Sequence, residues 1–389
     1  MSNPLTAPDD GIARLIADGH DMVLQEGHLV VRRLSYRSPI GPRYDGILVL
    51  PVNTLDGTIT DATDHRIWFA GEEPRADDDS ALGTPELHDY GVGVCANYLL
   101  SFKPPESLYP SVYAKIRHYS RVLASALGQT DEPVGPSRTG SFQVVPSDLP
   151  LVYPDMNATR VGLITLNNLF RGHTVAIVGG GGTGSYILDQ VAKTWVDRIV
   201  LIDGDKFETH NAYRAPGAAS VDVVRAQPNK AEYFAGEYAR MHMGITAHPV
   251  ALSSENLHLL DGATFVFLAA ADAESRPEIM RYLRERGVPF IDVGMSFREG
   301  EAGLTGLVKV ATYLPEEGTP LPTAPAVAPG EDDYSSNIQV AELNALNAVL
   351  AVIRWKRHLG FYATHESSNL TIYKLFLNQI RNGELNDVD

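Results

Sequence analysis

Glycines at 179, 181, 182 and 184 follow the apolar run 175–178, and Ser185 follows them. A strand ending in such a turn and entering a helix brings backbone N–H groups onto a phosphate at the positive end of the helix. A second apolar run, 198–203, ends in Asp203, about twenty residues past the glycines, where a ribose hydroxyl needs an acceptor. Asp205 comes next; it either orients that loop or takes a nearby backbone N–H. Asn211 and Arg214 stand eight and eleven residues beyond Asp203, and Lys230 opens the next helical stretch. These added polar groups suit a triphosphate rather than a dinucleotide, and Arg and Lys stabilise charge on a phosphate under attack. Asn211 has the alternative role of capping a turn. Asp272 ends the run 265–271, so it faces the crevice at the carboxyl edge of a parallel sheet or else caps the next helix. Arg276, four residues on, either pairs with Asp272 or lines the pocket.

The arrangement GxGGxGS, LxDxD, NxxR, K and D, spread over residues 160–310, resembles the ThiF/MoeB/ubiquitin-activating-enzyme superfamily. The resemblance implies a bacterial ThiF family adenylyltransferase with an extra N-terminal domain. Its substrate would be the C-terminal glycine carboxylate of a ubiquitin-like or sulfur-carrier-like protein. Small peptides are adenylated in the same superfamily. ATP and Mg²⁺ are implied as cofactors, with Asp272 at the metal, because a hard cation bridging phosphate oxygens needs one or two carboxylates. The implied catalytic set is Arg214, Lys230, Asp272 and Arg160; the implied binding set is Gly179, Gly181, Gly182, Gly184, Asp203, Asp205 and Asn211. Relatives place an arginine near position 160 that reaches the partner subunit's nucleotide, which implies a homodimer. Residues 290–295 and 304–310 look like the family's crossing strands, where Gly294 is small enough to admit a Gly-Gly tail.

Two other classes share part of this pattern. An NAD-dependent oxidoreductase has the glycine turn and an equivalent of Asp203. It leaves Asn211, Arg214, Lys230 and Asp272 unexplained, and no Tyr-x-x-x-Lys pair stands out. A non-catalytic nucleotide-binding scaffold would not need Arg214, Lys230 and Asp272 together.

Composition narrows the partners. The chain has 389 residues, 44% of them hydrophobic, a net charge of −16 and a pI of about 5.2, which argues against nucleic acid. No run of about 18 apolar residues exists, so a membrane partner is not expected and a cytoplasmic location is. Cys95 is the sole cysteine, so no intrachain disulfide forms, no Cys-x-x-Cys pair holds zinc, and no thioester forms on the adenylation half. The adenylate then passes either to a separate acceptor, as in sulfur-carrier activation or with a separate conjugating enzyme, or to Cys95 of the N-terminal region; direct transfer to a separate acceptor is the expectation. The neighbours Val92, Val94 and Ala96 predict a buried, inert thiol at Cys95.

Elements that would position these residues fall into two regions. Residues 1–150 read as a smaller α+β domain: a helix over 12–25, strands over 28–36, 45–51 and 66–70, an acidic loop over 72–80 and a helix over 109–127. This order is loosely similar to a ubiquitin-conjugating fold, yet no His-Pro-Asn run lies near Cys95. A cluster of Gly, Pro, Ser and Asp over 137–157 marks the boundary. Residues 158–389 alternate strands (174–178, 198–203, 245–252, 264–269, 289–293) with helices (184–194, 229–243, 255–260, 277–286), which predicts a Rossmann-like, doubly wound, mostly parallel sheet. A strand over 304–313, a proline-rich loop over 315–333 and an apolar helix over 338–358 complete it. That last helix is either core or a dimer element.

Overall fold

The computed structural model describes residues 10–55, 58–61, 64–90, 93–104, 108–128, 139–269, 275–315, 338–364 and 368–384. The chain divides into two compact units, residues 1–148 with 153–166 and residues 149–152 with 167–389.

In the first unit α1 (Asp10–Ala17) precedes β1 (Asp21–Gln25), β2 (His28–Ser38), β3 (Gly41–Leu55), β4 (Thr58–Asp61), β5 (Arg66–Ala70), β6 (Thr84–Asp89) and β7 (Cys95–Ser101). Then come α2 (Val112–Ser125), β8 (Ser141–Val144) and α3 (Met156–Val161). The sheet runs β6-β7-β5-β3-β2-β1-β8, with β4 paired to β3. All pairs are antiparallel except β1 with β8. One face packs Leu29, Val31, Leu48, Leu50, Phe69 and Leu100 against Leu15 of α1 and Ile116 and Leu123 of α2. The helix expected over 12–25 ends at Ala17. Gly19 adopts φ +85°, the N–H groups of Gly19 and His20 close on Ile16 and Leu15, and the chain leaves as a strand. Strand β6 escaped the sequence reading because its residues are mostly exposed and show no apolar alternation.

Cys95 opens β7 and is exposed, which overturns the expectation of a buried thiol. Strand alternation explains it: Ala96 takes the inward position and is fully buried, so its neighbour faces out.

After α4 (Ile164–Asn167), the second unit contains β9 (Thr174–Val178), α5 (Gly182–Val191), β10 (Arg198–Ile202), α6 (Thr209–Ala212), α7 (Val221–Ala226), α8 (Lys230–Tyr238) and β11 (Ile245–His248). It continues through β12 (Phe265–Leu268), α9 (Ser275–Glu285), β13 (Phe290–Gly300), β14 (Gly303–Tyr313), α10 (Ala341–His358), β15 (Leu370–Lys374) and β16 (Gln379–Gly383). The sheet order is β11-β10-β9-β12-β13-β14-β15-β16. Pairing is parallel from β11 to β13 and antiparallel from β13 to β16. This is the expected Rossmann-like α/β sheet, preceded by a separate α+β domain. Strands β9 and β12 are apolar and almost continuously buried, as parallel strands covered on both faces must be. The helix expected over 255–260 is a single 3-10 turn, Leu257–Leu260. Leu343, Ala348, Ala351 and Trp355 of α10 are buried, and the helix packs on α5, β13 and β14, so its apolar stripe is used inside its own unit. The proline-rich stretch lies, past Pro315, outside the described residues.

Candidate nucleotide site

Strand order reverses beside β9: the chain moves from β9 to β10 on one side and later reaches β12 on the other. Ligands in such sheets bind at that switch point, outside the carboxyl ends of the strands. The glycine turn leaves β9 there. Gly179 adopts φ +94° and donates its N–H to the Ile202 carbonyl at 2.8 Å. A Cβ on Gly184 would overlap the Gly179 carbonyl oxygen, so this turn closes only with glycine. Gly181 caps α5 without any side-chain hydrogen bond. The first N–H groups of α5 thus keep the partial positive charge of a helix N-terminus for an anion.

Asp203 directly follows β10 and is buried. One carboxylate oxygen accepts the Gly180 N–H at 2.6 Å and the other accepts the Asp205 N–H at 2.8 Å. Its carboxylate therefore ties the glycine turn to the loop after β10 and still has acceptor capacity for ribose hydroxyls. Burial raises the carboxyl above its ordinary range, opposed chiefly by the nearby Lys230. Lys230 is itself buried and donates to Asp205 at 2.7 Å, while Asp205 is exposed. The Asp205 carboxylate holds the Lys230 ammonium, and its carbonyl accepts the Lys230 N–H. Asn229 caps α8 and donates to the Asp203 carbonyl at 2.8 Å, which fixes where α8 starts.

Asn211 is buried in α6. Its oxygen accepts the Glu208 N–H at 2.8 Å, so it does cap a turn. Its amide nitrogen is buried without a hydrogen-bond partner, a spare donor at the end of the same loop. Arg214 follows α6, with its N–H on the Asn211 carbonyl at 3.1 Å.

Arg276, for which the sequence suggested Asp272 as partner, donates to Asp292 at 2.5 Å, and both side chains are largely buried. Asp272 itself lies in 270–274, outside the described residues. Asp292 pairs with Leu268, which in turn pairs with Val178, so its carboxylate stands at the same edge of the sheet as the glycine turn. Burial pushes this carboxyl up; Arg276 and Lys309 oppose the rise. Arg160 lies on α3 of the first unit, and its side chain is outside the described residues. Gly294 sits on β13 across from Lys309, with open space where a Cβ would stand.

Sequence reasoning missed Asp292, Thr183, Asn344 and Asn347. A lone carboxylate inside the apolar run 290–293 must find a cation when buried, and two amides three residues apart in an apolar helix must find partners. Both signals were readable. Among the described residues no group of three or more His, Cys, Asp or Glu could hold a metal ion, and no helix is long and apolar enough to cross a membrane.

Sheet order, glycine turn and Asp203 together define a Rossmann-like nucleotide-binding protein. Residues 155–381 match the ThiF family, and the chain belongs to that family. Residues 10–155 match a domain of unknown function, DUF6791. A curated relative, ubiquitin-like modifier-activating enzyme 5 of Caenorhabditis elegans, is 32% identical over 74 residues, which is 18% of this chain and 18% of the relative. Among solved structures, E. coli MccB with MccA-N7isoASN has a TM-score of 0.48 at 17% identity, over 57% of this chain and 66% of that one. PaaA has a TM-score of 0.44 at 18% identity, over 57% of this chain and 75% of that one.

Proposed function

We propose that this protein uses ATP and Mg²⁺ to adenylate the C-terminal glycine carboxylate of a ubiquitin-like protein. Membership of the ThiF family supports the reaction class. The observation that carries the reading is the switch-point turn: glycines closed against Asp203, with buried Lys230 behind it. In this reading residues 158–389 form the adenylation domain and residues 1–150 a separate N-terminal module. The N-terminus of α5 holds the phosphates and Asp203 takes the ribose hydroxyls. The spare Asn211 donor, Arg214 and Lys230 offset charge that builds on the α-phosphate as the carboxylate attacks and pyrophosphate leaves. Mg²⁺, with Asp272 as its ligand, would neutralise phosphate charge. Catalysis is then positioning plus electrostatics, with Arg160 supplied across a homodimer. The adenylate passes to a separate acceptor in the cytoplasm, because this domain has no thiol.

Thermal stabilisation by ATP–Mg²⁺ compared with NAD⁺ is the first test. A ligand at a hundred times its Kd adds about 2.7 kcal/mol to the folded state. The second is pyrophosphate exchange with a folded, Gly-terminated ubiquitin-like protein and with its tail peptide alone. Exchange with the peptide alone as fast as with the folded protein assigns a peptide substrate. Stabilisation by NAD⁺ only, with no exchange, refutes the proposal.

A further inference from the structure

Helix α10 places a buried amide, Asn344, against two walls of the nucleotide crevice. Asn344 is fully buried. Its Oδ1 accepts from the Thr183 hydroxyl at 3.0 Å, and Thr183 lies in the first turn of α5, between Gly182 and Gly184. Its Nδ2 donates to the Val340 carbonyl at 3.2 Å and, at longer reach, to the Arg214 carbonyl at 3.5 Å. Chemistry fixes the orientation of the amide, because carbonyl oxygens accept and cannot donate. The contact is tight: a Cβ on Gly182 would overlap the Asn344 amide. Leucine would fill the same volume without a polar group to satisfy, and a buried amide has a desolvation cost that its partners must offset. What the amide adds over leucine is a fixed geometry between the glycine turn and the segment that carries Arg214.

We propose that Asn344 is a positioning residue that holds Arg214 in register with the glycine turn, so that both engage one triphosphate. This rests on the adenylating reading above. A double-mutant cycle in the full chain tests it: ATP–Mg²⁺ affinity by calorimetry for wild type, Arg214→Ala, Asn344→Leu and the double variant, each with its melting temperature. Arg214→Ala should weaken ATP by about tenfold or more in the wild-type background, the effect of losing one hydrogen bond to a charged group. In the Asn344→Leu background the same change should cost less than about threefold, since the guanidinium is no longer held in place. If Asn344→Leu does not fold, Asn344→Asp keeps the acceptor for Thr183, loses the donor, and enters the same cycle. Equal Arg214→Ala effects in both backgrounds would make Asn344 merely structural and overturn the proposal. So would wild-type affinity in Arg214→Ala. Wild type that binds no ATP overturns the adenylating reading itself, and this inference with it.

Discussion

Arg276→Met removes the cation from a buried ion pair and leaves the Asp292 carboxylate behind. The pair is closed at 2.5 Å, with 15% of the Arg276 side chain and 3% of the Asp292 side chain exposed. Removing one partner of such a pair costs about 3–5 kcal/mol, because the remaining charge is buried without compensation. For a unit of this size each kcal/mol moves the melting temperature by about 2–4 °C, so a fall of about 6–20 °C is expected near pH 8. The loss should shrink in acid. Burial already raises the Asp292 carboxyl above its ordinary range, and Arg276 is the larger of the two cations' opposing effects. Without it the folded-state value rises further. A carboxyl whose folded value lies above its unfolded value contributes stability that is fully present below the unfolded value. That stability is lost as pH rises through the folded value. The variant should therefore approach wild type as pH falls toward the ordinary carboxylate range, where Asp292 takes up its proton in the fold. Fluorescence of the buried Trp195 and Trp355 reports on the second unit and can be followed from pH 4 to 9. A loss below about 1 kcal/mol at pH 8, or one that does not change with pH, would refute the assignment of a buried, charge-bearing pair.

Gly184→Ala should abolish ATP-dependent stabilisation, because its Cβ would overlap the Gly179 carbonyl and open the phosphate turn; normal stabilisation would place the phosphates elsewhere. Lys230→Ala should slow pyrophosphate exchange by about a hundredfold, the effect of removing one charge-stabilising donor. Asp205→Asn should slow it by about tenfold or less, since it only aims the ammonium; equal losses would make Asp205 a direct participant. Cys95 should react with a thiol reagent in the native protein without denaturant, and Cys95→Ser should leave pyrophosphate exchange unchanged. An adduct with the partner protein that reducing agent removes, and that the serine variant lacks, would contradict transfer to a separate acceptor.

How far the sequence could be read depended on where the signal sits. The strands β9, β10 and β12 were legible within a residue or two, because parallel strands covered on both faces are largely continuous apolar runs. The glycine turn and Asp203 were legible because backbone geometry restricts them: Gly184 admits no Cβ, and Asp203 stands at a strand end. Two margin strands of the first unit were not. Both β6 and β8 are short and have one paired side, so their partners rather than their own composition make them strands. The apolar neighbours of Cys95 predict burial yet do not form its environment, because adjacent residues in a strand face opposite ways.

Polar residues in apolar elements show the same limit from the other side. Asp292, Asn344 and Asn347 each announce an unmet bond in the sequence, yet none names its partner. The partners are Arg276, Thr183 with the Val340 and Arg214 carbonyls, and the Gly294 carbonyl, up to 161 residues away in sequence. These bonds share one property: each fastens an element that borders the switch-point crevice to a neighbour. Arg276–Asp292 joins the start of α9 to β13, Asn344 joins α10 to α5 and to the Arg214 segment, and Asn347 joins α10 to β13. Apolar packing alone tolerates small sliding between layers, whereas a satisfied buried polar bond has one geometry. A reaction driven by positioned charges loses rate steeply when a donor moves by an ångström. Residues that set those distances therefore belong to the site as much as those that would touch the nucleotide.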